Sequence, residues 1–469
     1  MSYEAVIGLE CHVQLATSSK MFCGCRADYA GAAPNTHVCP ICLGMPGVLP
    51  VINRKAIEYT LLTGLALHAD IPSATKFDRK NYPYPDLVKG YQISQYDMPL
   101  VKGGFLEITV GSEATARRIG LERVHLEEDT GKLTHVPGGS LIDFNRSGVP
   151  LMEMVSQPDL RTPTEARAYL QKLRAILRTL GVSDADMEKG QLRCDVNVSL
   201  RPIGATELGT KVEIKNLNSF RSVQRALEYE IGRQTAALER GERITQETRG
   251  WLEDRAVTVS QRTKEEAHDY RYFPEPDLPP MFVEAAWLSD LRARLPELPD
   301  ARAARYRGAF GLGAYDAEQL STDLSAASLF EQTVAAGADA KKAANWIQND
   351  VARLPSNGRL EPRHLAELIA LVDRGTLGSS AARQLLPEVF RTGKAPTALV
   401  EELGLAQVSD TAELEAAVRS VVDANPAAVA DYRAGKATAI NFLKGQVMKQ
   451  TRGKANPAVA EELLRKLLG

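Results

Sequence analysis

The sequence predicts an α+β chain. A mixed α/β region carrying an antiparallel sheet covers residues 1–290, an all-α region 291–405, and a small α-helical tail 406–469. Three observations predict this. Short stretches that alternate apolar and polar residues recur up to about residue 290, punctuated by Gly and Pro, with a few helices among them. Ala- and Leu-rich stretches with few β-branched runs follow, and YFPEPDLPP at 272–280 punctuates the change. At 469 residues the chain exceeds one ordinary core, so roughly two to four domains are expected.

The first strand is the clearest element. In VIGLECHVQL, Ile7, Leu9, Cys11, Val13 and Leu15 fall on one face and Glu10, His12 and Gln14 on the other. Same-face neighbours lie about 7 Å apart, so Glu10 and His12 are close enough to converge on one divalent ion. In LRCDVNVSL, Leu192, Cys194, Val196, Val198 and Leu200 oppose Arg193, Asp195, Asn197 and Ser199. In KVEIK, Glu213 opposes Val212 and Ile214. An acid on each polar face admits two readings: a solvated sheet face, or a shared cation site. Glu153 stands between Met152 and Met154, where a carboxylate needs a cation or a hydrogen-bond partner. HLEED at 125–129 is less regular. Strict alternation sets Glu128 beside Val124 and Leu126, so either a bulge re-aims it or the strand has ended.

One helix is well marked: Thr162 as N-cap, Pro163 at N1 and Glu165 completing a capping box. Apolar residues recur from Ala166 to Leu180, before Gly181 as a stop. In the tail, Asn425-Pro426 and Asn456-Pro457 each look like an N-cap followed by proline.

The apolar and charged fractions, 44% and 25%, are those of a soluble globular protein. A formal charge of −2 gives no global attraction to nucleic acid, so RNA contact requires a local basic patch. From Ala430 to Gly469 eight Lys or Arg stand against three acids. Lys436, Lys444, Lys449, Arg452 and Lys454 are the candidates there, against the reading of an ordinary solvated helix face. A secretory leader and a run of 18 apolar residues are both absent, so a cytoplasmic, non-membrane protein is expected.

Cys23-x-Cys25, thirteen residues, then Cys39-x-x-Cys42 has the spacing of a tetrahedral structural zinc site in a turn-rich loop. The alternative is four unrelated buried thiols. Cys11 and Cys194 lie on apolar strand faces and read as core. Carboxylates with one imidazole suit magnesium or manganese better than zinc, and in phosphoryl transfer such ions bridge phosphate oxygens. There is no G-x-x-x-x-G-K-[ST] loop and no G-x-G-x-x-G after a strand, so nucleotide chemistry would need another phosphate cradle.

VIGLECHVQL, KFDRKNYPYPDLVKGYQISQYD, HLEEDTGK, GVPLMEMVSQPDL, LRCDVNVSLRP, EIKNLNSFRSVQRALEYEI, KEEAHDYRYFPEPDLPP and FLKGQVMKQTRGKANP together span nearly the whole chain in fixed order. In these strings the chain resembles the B subunits of aspartyl/glutamyl-tRNA(Asn/Gln) amidotransferases, the GatB family. Pro83 and Val88 depart from the family's usual Phe and Pro, and Asn441 from its usual Gly. The resemblance implies a cradle domain, a helical domain and a tRNA-binding tail similar to the YqeY domain. It implies a carbon–nitrogen ligase with glutamine as amido-nitrogen donor, which uses ATP to phosphorylate and then amidate misacylated Glu-tRNA(Gln) or Asp-tRNA(Asn).

By carry-over, Glu10, His12, Glu128, Glu153, Asp195 and Glu213 become the catalytic and Mg2+-site residues, which decides HLEED for its second glutamate. Lys89 becomes a contact to ATP phosphate, against the reading of a solvated lysine. The aromatics and bases Arg79, Lys80, Tyr82 and Tyr91 either stack on the tRNA acceptor end or simply pack. Some members of the family carry the four-cysteine cluster, which implies structural Zn2+. No Ser-x-x-Lys arrangement with a companion Gly/Ser-rich loop is visible, so ammonia must come from a partner. The resemblance implies an amidase-type A subunit, a small C subunit and the cognate aminoacyl-tRNA synthetase as partners. Two other readings stand against it. A homologue that has lost catalysis leaves the full acid set unexplained, and a zinc-ribbon RNA-binding protein leaves the acidic strands unexplained.

Overall fold

The computed structural model describes residues 2–110, 116–263, 270–355, 360–405, 411–451, 455 and 457–469. Among them, nine strands build the principal sheet. The first strand, Tyr3–Gln14, lies at its centre. It pairs antiparallel with the PLMEM strand, Pro150–Ser156, on one side and with the CDVN strand, Leu192–Pro202, on the other. The HLEED strand, Arg117–Glu128, adds outside PLMEM, and the VEIK strand, Val212–Lys215, outside CDVN, both antiparallel. Glu247–Leu252 then joins VEIK in parallel.

Alternation gives the sheet two unlike faces. Ile7, Leu9, Val13, Leu126, Met152, Val196 and Val198 are at most 1% exposed. They share one core with the helices Pro163–Thr179 and Phe220–Glu239. The expected capping box is present: Glu165 N donates to Thr162 Oγ1 at 3.1 Å, and Thr162 N donates to the Glu165 carboxylate at 3.1 Å. Leu170, Leu173 and Leu177 of this helix are fully buried, and truncating one to Ala costs about 2–5 kcal/mol. Gly181 follows the helix with φ +66°, a conformation open to glycine at little cost. The polar face of the sheet is left for chemistry.

The chain forms two compact units, Met1–Pro299 and Asp300–Gly469. Leu291, on the helix Ala285–Ala293, is buried in the core of the first, so that unit runs past residue 290. The second unit is helical. One core gathers Tyr306, Phe330, Leu368 and Leu385, and another Val418, Leu443 and Leu464. The expected boundary near 405 abuts residues 406–410, outside the described residues. Helix Pro426–Arg433 begins at its proline, but Asn425 does not cap it: Asn425 Nδ2 turns back to the Val421 carbonyl at 2.8 Å. Helix Pro457–Leu468 also begins at its proline, and Asn456 lies outside the described residues. Among the described residues no helix is long and apolar enough to cross a membrane.

Candidate active site

Strand register assembles the site. His12 lies opposite Glu153 on one side and Arg193 on the other, Glu10 opposite Asp195, Glu153 opposite His125, and Asn197 opposite Glu213. Directly opposed residues of an antiparallel pair point to the same face. Glu10, His12, His125, Glu153, Asp195 and Glu213 therefore share the face turned away from the helices. His12 Nε2 is 3.4 Å from Glu153, 3.7 Å from Glu10 and 3.9 Å from Glu127. His125 Nε2 is 3.4 Å from Glu153. Two overlapping donor sets result, His12–Glu127–Glu153 and Glu10–His12–Asp195, each with its ligand atoms within 4.8 Å of one another. Glu213 stands one strand further out, where Thr248 Oγ1 donates to it at 2.8 Å. Lys215 Nζ is 3.6 Å from Glu213 and also pairs with Asp195.

The expected place of Glu128 in this group is corrected. From Arg123 to Glu128 the HLEED strand runs without a bulge, with Glu127 opposite Leu151 and Glu128 opposite Pro150. Alternation therefore sends His125 and Glu127 to the acid face and Glu128 to the reverse. There Glu128 accepts from Ile93 N at 3.0 Å and pairs with Lys89. Lys89 goes with it: its ammonium lines a cavity behind the strand with Phe22, Cys23 and Cys42, away from the acid row. Arg79 is also absorbed by packing. It lies over the Tyr91 ring at 4.2 Å and makes a bidentate pair with Glu275 at 2.7 and 2.8 Å.

The acid row is electrostatically tense. Burial, then the charge of Glu153, pushes the Glu10 carboxyl above its ordinary range. Burial opposes charging of Glu153, but the His125 and His12 imidazoles outweigh it and hold the carboxyl well below the usual value. Burial likewise works against a charged His12. The hydrogen bond and charge of Glu153, followed by Glu127 and Glu10, prevail and raise it to about 9. Oxygen donors clustered this tightly around an imidazole fit a hard divalent cation, whose charge would relieve the crowding.

Two cavities of about 400 and 350 Å³ open over this face. Arg193, Thr130, Asn216 and Asn218 border the first. Glu10, Glu153, Glu213 and the rings of Tyr96, Tyr270 and Tyr272 border the second. His12, Lys80, Asp195 and Lys215 line both. Lys80 Nζ hangs 4.8 Å from the centre of the Tyr270 ring. Although burial opposes its charge, Glu127 and its neighbours keep it firmly protonated. His125, Glu127, Arg193 and Lys215 are not among the site residues expected from the sequence. The two-residue period that marks Glu10 and His12 also marks them.

The four Sγ atoms of Cys23, Cys25, Cys39 and Cys42 lie within 4.8 Å of one another. That closeness suits tetrahedral thiolate coordination of zinc. Hydrogen bonding from Cys23, aided by the Lys20 charge, lowers the Cys42 thiol to about 5. Lys20 is fully buried. It donates to the His37 carbonyl at 2.7 Å and approaches Cys42 Sγ at 3.6 Å.

In the tail, Lys436 and Lys444 pair with Asp431 and Glu461 at 2.9 and 2.7 Å, while Lys449 is exposed. Arg452 and Lys454 lie outside the described residues.

A family model described as the GatB/GatE catalytic domain matches residues 5–289, and one described as the GatB domain matches residues 328–468. The chain is 56% identical to the B subunit of the aspartyl/glutamyl-tRNA(Asn/Gln) amidotransferase of Moorella thermoacetica over 479 aligned residues, covering 100% of both chains. It is 56% identical to the protein of that name from Thermomicrobium roseum over 480, covering 100% of this chain and 99% of that one. The protein of that name from Carboxydothermus hydrogenoformans is 53% identical over 475, covering 99% and 98%. Matched by these models over residues 5–289 and 328–468, and by relatives more than half identical along its whole length, the chain belongs to the GatB family.

Proposed function

We propose that the chain is the amide-forming component of a tRNA-dependent amidotransferase. It moves the γ-phosphoryl group of ATP onto the side-chain carboxylate of Glu-tRNA(Gln) or Asp-tRNA(Asn). Ammonia then displaces the phosphate, leaving Gln-tRNA(Gln) or Asn-tRNA(Asn). The observation that carries this reading is the convergence of Glu10, His12, Glu127, Glu153 and Asp195 beneath two cavities that share Lys80 and Lys215.

The chemistry calls for such a site. A carboxylate oxygen is a poor leaving group, and converting it to an acyl phosphate supplies a good one. Glu10, His12, Glu127, Glu153, Asp195 and Glu213 would hold magnesium, with Glu127 in the position that motif likeness gives to Glu128. Held there, Mg2+ would supply positive charge to offset the charge that develops on the phosphates. Lys80, Arg193 and Lys215 bind and orient the phosphates from the side of the larger cavity. A carboxylate of the row that the cation leaves free accepts the proton shed when ammonia attacks.

Zinc on Cys23, Cys25, Cys39 and Cys42 would be structural, fastening a loop with little core of its own. The relatives are named as B subunits of an amidotransferase. By that kinship ammonia would come from an amidase-type A subunit held with a small C subunit, in the cytoplasm, with the cognate aminoacyl-tRNA synthetase delivering substrate. Residues 1–290 would carry the chemistry, 291–405 would link, and 406–469 would meet the tRNA through Lys436, Lys444, Lys449, Arg452 and Lys454, by backbone charge and shape.

The test is to supply the assembled complex with ATP labelled at the γ-phosphate and each misacylated tRNA, first without glutamine and then with it. Labelled acyl phosphate should accumulate in the first step and convert to amidated tRNA in the second. Amidation that proceeds without ATP would overturn the proposal.

A further inference from the structure

Lys20 lies against the thiol loop and takes no part in the chemistry assigned above. Its side chain is fully buried, beside Phe22, Ile41 and Val48 in the cavity behind the HLEED strand. Its peptide nitrogen donates to the Cys25 carbonyl at 2.9 Å, which ties it to the first pair of thiols. Its ammonium reaches the second pair. It donates to the His37 carbonyl at 2.7 Å, to the Phe144 carbonyl at 3.4 Å and to Cys42 Sγ at 3.6 Å.

A buried ammonium is costly without a negative charge nearby, and carbonyl oxygens satisfy its protons without cancelling that charge. The carboxylates that line the cavity are committed elsewhere, Glu128 to Lys89 and Asp277 to Arg79. Among the partners of the Lys20 ammonium, only the Cys42 sulfur is able to carry negative charge. Cys42 is 5% exposed, more deeply buried than the other three thiols, and also accepts from Cys39 N at 3.2 Å. Thiolates from all four cysteines around one divalent ion leave an excess of negative charge. In apolar surroundings a neighbouring charge acts on that excess strongly.

We infer that Lys20 is a positioning residue of the thiol site, whose ammonium offsets the excess charge of a zinc–thiolate centre through Cys42 Sγ and so sets its affinity for the metal. The inference rests on the reading of the loop as a zinc site proposed above. The same ammonium pins the His37 carbonyl, two residues before Cys39, and so holds the turn that presents Cys39 and Cys42. Groups that touch a metal's ligands, without touching the metal, orient those ligands and tune their donor strength. A lysine that only tied two loops together by their carbonyls would need its hydrogen-bond donors but not its charge, and variants separate the two.

Zinc affinity is measured on the assembled complex by competition with a chromophoric chelator, in wild type, Lys20→Met, Lys20→Gln and Lys20→Arg. Lys20→Met keeps an unbranched stem, Lys20→Gln keeps donors for the carbonyls, and Lys20→Arg keeps the charge. Lys20→Met and Lys20→Gln should bind zinc about 10–100-fold more weakly, and Lys20→Arg should recover most of the loss. With Co2+ in place of zinc, the sulfur-to-metal charge-transfer band should move to longer wavelength in Lys20→Met and Lys20→Gln, because a thiolate without a nearby cation gives up its electrons more easily. Affinities within about twofold of wild type in every variant overturn the inference. Recovery by Lys20→Gln but not by Lys20→Arg overturns it too, as does weaker binding with an unmoved band, since a packing role predicts both. If every variant fails to fold even without zinc, Lys20 is a packing residue and the inference falls. A wild-type complex that binds no zinc removes the zinc reading itself, and the inference with it.

Discussion

The cysteine loop and the acid row are both clusters of metal donors, but they are assembled differently. Cys23, Cys25, Cys39 and Cys42 are contributed by one local loop. Glu10, His12, Glu127, Glu153 and Asp195 come from four strands distant in sequence and meet only through sheet register. A local cluster is legible from spacing. A non-local one is legible only as far as each strand's face is known, and a slip of one residue sends a side chain to the other side. The second glutamate of HLEED shows the consequence. Motif likeness assigns it to the cation, whereas alternation places it beside Val124 and Leu126, on the face where it meets Lys89.

The two clusters should fail differently. The largest effect is expected on the acid row. Glu127→Ala removes a donor shared with His12 and Glu153, so steady-state amidation by the complex should fall by at least about 10²–10³-fold, with the thermal midpoint little changed. Activity within tenfold of wild type would show that the row does not act as a unit.

Next in size is a pH effect. The metal-free chain holds His12 near 9, so a cation binding the neutral imidazole must displace a proton. Mn2+ affinity should tighten about tenfold per unit from pH 7 to 9 and then level off. For folding of the metal-free chain the sign is opposite. The raised pKa contributes stability in full below about 6.5, and that contribution is lost as pH rises through 9. Flat Mn2+ affinity across this window would remove His12 from the donors.

The cysteine loop should show the converse pattern of loss. Cys39→Ser, or zinc removal by a chelator, should lower the thermal midpoint by several degrees and leave kcat within a few-fold, because the thiols stand apart from the acid row. A collapse of kcat without loss of stability would join the two clusters functionally. The smallest effect belongs to the tail. Lys436 and Lys444 already have acidic partners, so Lys449→Ala is the cleaner probe. It should weaken tRNA binding about two- to threefold and reduce the salt slope by about one.

Much of the fold is legible in the sequence, because the features that encode it are local. The capping box at Thr162–Glu165 and the alternation in VIGLECHVQL and LRCDVNVSL reappear as expected. Asn425 departs from expectation because a preceding carbonyl competes for its amide, and proline placement alone does not register that competition. For the site, the acids of the clean strands stand out in the sequence, whereas His125 and Glu127 do not, although they share the same period. Arg193 and Lys215 escape notice as site residues, and Lys80 stands out only as a base among aromatics, for another reason. A lysine or arginine on a polar face looks solvated until the neighbouring strands bring acids to it. Lys89 is misplaced by its motif because its partner Glu128 is 39 residues away in sequence.

The most direct measurement is Mn2+ binding, followed by paramagnetic resonance of the free ion, in wild type, Glu127→Gln and Glu128→Gln. Glu127→Gln should lose tight binding. Glu128→Gln should retain it within about twofold while losing roughly 3–5 kcal/mol of stability as Lys89 is left unpaired. The reverse pattern, with binding abolished by Glu128→Gln and kept by Glu127→Gln, would contradict the assignment of the cation to the alternating face of the sheet.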